Sequence, residues 1–69
     1  MRYMLTRIYD AGVSEIREIT KDDIEKEGLT LGYTSTKDLD IYVDEFETDK
    51  EFEAFWNKCK AEGAKVVLF

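Results

Sequence analysis

The sequence contains no histidine and no proline, one cysteine and four glycines among 69 residues. Without histidine, Ser-His and Cys-His nucleophile pairs are impossible, and the common zinc sites lose their nitrogen ligand. The lone Cys59 permits no intrachain disulfide, which argues against a bridge-stapled secreted scaffold. The glycines stand apart at positions 12, 28, 32 and 63, so no glycine-rich loop is available to cradle a phosphate. No apolar run approaches the roughly 20 residues of a membrane span. No basic leader with an apolar segment and a small-residue cleavage site opens the chain, so Met1 reads as a true start and the expected compartment is the cytoplasm.

What is present suits a small folded domain. Residues 1–69 are expected to form one unit, near the lower limit at which a single core holds a fold without staples, and a catalytic cleft would take volume it can hardly spare. Hydrophobic content of 43% is that of a globular chain rather than a disordered one. The net charge of −6 is unevenly placed. In "DLDIYVDEFETDKEFE", Asp38 to Glu53, eight carboxylates face one lysine, Lys50, whereas the remaining residues carry nine basic and eight acidic groups. A nucleic-acid binder would be expected to show the opposite sign.

The coarse pattern reads β-β-α-β-α-β. "RYMLTRIY" from Arg2 to Tyr9 has strand composition, and "DAG" after it suits a turn. Residues 13–27 admit two readings, one long helix or a strand over Val13 to Ile19 followed by a helix over Lys21 to Glu27; the second is preferred, because Thr20 and Asp23 have capping-box spacing and Gly28 is placed to end the helix. "LTLGYTSTK" from Leu29 to Lys37 reads as a loop. Leu39, Ile41 and Val43 then alternate with Asp40, Tyr42 and Asp44, as in a strand with one buried and one wet face. In the second helix, Thr48 and Glu51 have capping-box spacing, and Phe52, Phe55, Trp56 and Cys59 make an apolar stripe. "AKVVLF" reads as a buried last strand, parallel to the strand before the helix. The expected fold class is therefore α+β, a small single sheet of about four strands with two helices on one face.

No residue set reads as a catalytic site. Asp22, Asp23, Glu25 and Glu27, or Asp40, Asp44 and Glu45, offer carboxylates to Mg²⁺ or Ca²⁺, yet neither group has calcium-hand spacing, and no metal or cofactor is expected. Cys59 on the apolar stripe reads as an inert packing residue. The acidic segment is the feature to explain. Like charge of this kind often serves only solubility, but here it falls on ordered elements, where Asp38, Asp40, Asp44, Glu45, Glu47, Asp49, Glu51 and Glu53 would present a row of negative charge. Such a row attracts Lys/Arg-lined grooves that hold phosphates, and Tyr42 adds an aromatic contact. The expected partner is a basic nucleic-acid-binding protein or complex, with no direct contact to nucleic acid or membrane.

Two resemblances follow from these residues. "EITKDDIEKEG", Glu18 to Gly28, followed by "FEAFW", Phe52 to Trp56, is similar to a pattern in ASCH domains, small β-barrel relatives of RNA-binding PUA domains. That resemblance implies a nucleoside hydrolase or ligand-binding domain with Glu27 as its acid. In size, charge and architecture the whole chain resembles the small acidic anti-CRISPR proteins of phages. This second resemblance implies a non-enzymatic inhibitor in the host cytoplasm that imitates DNA and occupies the groove of a CRISPR-Cas effector, through the carboxylates named above and Tyr42. A plain dimerising module using an exposed strand edge is a third reading.

Overall fold

The computed structural model describes residues 1–68. The elements in chain order are β1 (Arg2–Tyr9), β2 (Ser14–Ile19), α1 (Lys21–Glu27), β3 (Gly32–Ser35), β4 (Leu39–Phe46), α2 (Asp49–Ala61) and β5 (Lys65–Val66). The strands form one open mixed sheet in the order β3-β4-β1-β2-β5. This is the expected α+β class with a single sheet and two helices, with five strands rather than four.

β1 lies at the centre because its sequence is apolar on both faces. It pairs antiparallel with β2, Thr6 opposite Ile16, and antiparallel with β4, Thr6 opposite Tyr42. Alternate side chains point to opposite sides, and each side meets its own cluster. Tyr3 and Leu5 pack with Ile19 and Val43 on one face, joined by Ile24 of α1 and by Leu29. Met4 packs with Ile16 and Phe52 on the other, joined by Phe46, Phe55 and Trp56. The two helices thus cover opposite faces of the sheet, not one. That arrangement also removes the wet face expected of β4: Asp40, Tyr42 and Asp44 are half-buried on the side that α2 covers.

The helix caps follow the sequence closely. At α1, Thr20 Oγ1 accepts from the Asp23 N–H at 3.1 Å and Asp23 Oδ2 accepts from the Thr20 N–H at 2.9 Å, a complete capping box built with the shorter acid. Gly28 ends the helix at φ 66°, a left-handed conformation that a Cβ disfavours. At α2, the half of the box that forms is Thr48 Oγ1 accepting from the Glu51 N–H at 3.2 Å. The apolar stripe behind it makes an aromatic stack, with Phe52 and Trp56 centroids 5.5 Å apart and Phe46 edge-on to Phe52 at 5.6 Å. Full burial of a side chain such as Phe52 contributes about 1.5–3 kcal/mol.

Two segments differ from expectation. Gly32–Ser35 is strand β3 instead of loop, because the β4 edge supplies its partners, Tyr33 facing Tyr42 and Ser35 facing Asp40. The last strand is parallel to β4 as expected, since both run with β2, but only Lys65–Val66 pair, as the outermost strand beside β2, and both residues are exposed. An outer strand has no second neighbour to bury it, so apolar composition alone does not make it core. Phe69, expected in that strand, lies outside the described residues.

Candidate acidic interface

Around β4 and the start of α2 the carboxylates separate into three environments. The first is the outer β3–β4 hairpin. Asp40 Oδ1 accepts from Tyr33 Oη at 3.0 Å and from Ser35 Oγ at 3.1 Å, while the Tyr33 and Tyr42 rings lie 4.9 Å apart. Two hydroxyl donors on the neighbouring strand therefore hold this carboxylate in one orientation. Tyr33 stays 57% exposed, leaving an aromatic surface beside the charge. Asp38 is exposed in the bend just before β4.

The second environment is the seam between α2 and the sheet. Asp44 shares this side with Tyr42 and Asp40, two and four residues away along the strand. Burial pushes its carboxyl pKa up. Cys59 of α2 lines the same seam, and its thiol is pushed up by burial and then by the nearby Glu62 and Asp44 charges, which leaves it a poor nucleophile. Glu45, one residue on, points to the opposite face. There the Tyr3 hydroxyl donates to it, a bond that raises the Tyr3 pKa.

At the α2 N-terminus the charge is partly met from within. Arg2 binds Glu18 with both prongs of its guanidinium, Nε to Oε2 at 2.8 Å and Nη2 to Oε1 at 2.9 Å, and its Nη1 reaches Glu53 at 3.3 Å and Asp49 at 3.5 Å. Its Cζ lies 3.8 Å from the centroid of the Phe52 ring. The hydrogen bond with Glu18 holds Arg2 still more firmly protonated and depresses the Glu18 carboxyl. Asp49 and Glu53 thus share one cation, while Glu47 and Glu51 remain exposed.

The expected acids accordingly do not make a single wall. Asp40, Tyr42 and Asp44 share the α2 side, Glu45 lies on the reverse, and Asp49 and Glu53 are drawn toward Arg2. Comparison with known proteins returns nothing: no family model, curated protein or solved structure matches the chain. Sequence reasoning passed over Tyr33 and Ser35, although the tyrosine and threonines of "GYTST" carry strand propensity that the glycine and serine masked. It also passed over Arg2, whose partners Asp49 and Glu53 lie 47 and 51 positions away and leave no local trace. Glu27 is exposed and pairs with Arg17 at 3.3 Å.

Proposed function

We propose that this chain is a non-enzymatic inhibitor that imitates nucleic acid, engaging the basic groove of a nucleic-acid-binding complex, with a CRISPR-Cas effector as the leading candidate. The single observation that supports this is the gathering of eight carboxylates within sixteen residues, several of them on ordered strand and helix. The contact set runs from Asp38, Asp40, Tyr42 and Asp44 to Glu47 and Glu51 at the start of α2, with Tyr33 added. Because Tyr33 and Ser35 already orient Asp40, less side-chain freedom is lost when a cation docks there. Exposed Tyr33 beside that charge has the aromatic character enriched at interface centres. Asp49 and Glu53 contribute less, since Arg2 offsets part of their field, and Glu45 faces away.

The test is interference in living cells. Bacteria carrying an active CRISPR-Cas system are transformed with a targeted plasmid, with and without this chain, across several effector types. Restored transformation with at least one effector, lost when Asp38, Glu47 and Glu51 are replaced by Lys, is the expected result. Interference undiminished for all of them would reject the CRISPR assignment.

A further inference from the structure

Between α2 and the sheet lies a cavity of about 280 Å³. Its floor is apolar, made by Ile8 and Ile16, and Phe55 of α2 forms one side. The polar groups that line it include Thr6, Asp44 and Glu62, and no lysine or arginine is among its lining residues. Thr6 sits mid-strand in β1, directly opposite Tyr42 and next to Asp44 on the same face, and its Oγ1 is sealed from solvent, so the hydroxyl is not open to a group in the cavity.

The polar end of the cavity is therefore Asp44, which lines it half-buried, and a cation that meets this carboxylate is favoured there. The volume falls just below the roughly 300–1,000 Å³ of ordinary small-molecule sites, too small for a nucleotide or a large cofactor. What fits is a slender apolar stem ending in hydrogen-bond donors with positive charge: the stem lies on Ile8, Ile16 and Phe55, and the head meets Asp44. Lysine and arginine side chains are built this way, burying their methylenes while the charged end finds its partner.

We infer that this cavity is the receptacle for one arginine or lysine side chain of the basic partner, with Asp44 as its polar end. The inference rests on the reading above for the partner's identity, but the site is tested on the isolated protein. Amide chemical shifts are followed while N-acetyl-arginine methylamide, N-acetyl-lysine methylamide, n-butylamine or n-butanol is added. The capped residues are expected to produce saturable shifts at Thr6, Asp44 and Cys59, with a Kd on the order of 1 mM for ligands this small. Asp44→Asn, close in shape to the native residue, should weaken binding by about tenfold. The Leu29 amide, on the far face, should stay in place and report an intact fold.

Saturable binding lost in Asp44→Asn supports the site. No saturable shifts with either capped residue, equal binding by Asp44→Asn, or equal shifts with n-butanol would overturn it. Binding of n-butylamine alone would also overturn it and reassign the cavity to a free amine. The outcomes separate from those of the functional reading: capped arginine can bind although no CRISPR effector is inhibited, and inhibition can persist although capped arginine does not bind.

Discussion

Arg2 and Glu18 form a two-pronged ion pair across the first hairpin, with Nε–Oε2 at 2.8 Å and Nη2–Oε1 at 2.9 Å. The same guanidinium lies over Phe52 and reaches Asp49 and Glu53 on α2, so one side chain ties the sheet to the helix that carries much of the acidic segment. An exposed ion pair alone is worth little. Here the cation also packs on a buried ring and faces three carboxylates, and both relations depend on the planar fork of arginine.

Arg2→Gln should therefore lower the melting temperature by several degrees, and Arg2→Lys, which keeps the charge without the fork, should fall between. Thermal unfolding followed by circular dichroism measures this. Equal melting of all three proteins would show that Arg2 does not clamp α2.

Acid should destabilise the fold through Glu18 and Asp23. Both carboxyls are depressed below their ordinary values, Glu18 chiefly by Arg2 and Asp23 by hydrogen bonds from Thr20. A depressed carboxyl contributes stability that is present above its unfolded pKa and lost as pH falls through the folded one. Asp44 has the opposite sign. Burial raises its pKa, so its ionised form opposes folding at neutral pH and this opposition fades as pH falls toward its ordinary value of 3.8. Asp44→Asn should consequently melt higher than the native chain at neutral pH, with the gap closing on acidification. A gap that widens in acid would contradict this assignment.

Phe52 anchors α2, fully buried against Met4 and Ile16. Phe52→Ala should cost about 3–5 kcal/mol, a large share of the roughly 5–15 kcal/mol available to a small domain. Urea denaturation should show a much lower midpoint or no folded baseline. Thr20→Ala, which removes the α1 cap, should cost about 1 kcal/mol. If the two variants lose equal stability, α2 is not the main source of burial on its face.

Much of the fold was legible where the determinants are local. β1 from Arg2 to Tyr9 and α1 from Lys21 to Glu27 could be read residue by residue, because strand composition, the Thr20–Asp23 cap and Gly28 all act within a few positions. What escaped depends on distant partners. β3 looks like loop until β4 offers Tyr42 and Asp40 as neighbours, and the charge pairing at α2 requires Arg2 from the other end of the chain. The placing of the helices on two faces was written in "RYMLTRIY" after all: Tyr3 and Leu5 are apolar on one parity, Met4 and Ile8 on the other, as in a strand covered on both sides. At the acidic segment the composition was legible but not its orientation, since period-two alternation sends Asp44 and Glu45 to opposite sides.

Surface charge and stability should separate cleanly. Lys substitution at Asp38 and Glu47, both exposed, should change stability by no more than about 0.5 kcal/mol each, and at exposed Glu51 in the first turn of α2 by about 1 kcal/mol, while the three together weaken partner binding by tenfold or more. Parallel measurement of melting temperature and partner affinity checks this. Loss of both at once would mean that these acids hold the fold.

The most direct measurement is displacement of target DNA from a purified CRISPR effector by this chain, repeated across a salt series. Electrostatic imitation predicts dose-dependent release that weakens steeply as salt rises, because the screening length shrinks from about 10 Å at 0.1 M to about 3 Å at 1 M. It also predicts no release by the triple Lys variant. Release that is indifferent to salt and to those three substitutions, or none from any effector at low salt, would contradict the account.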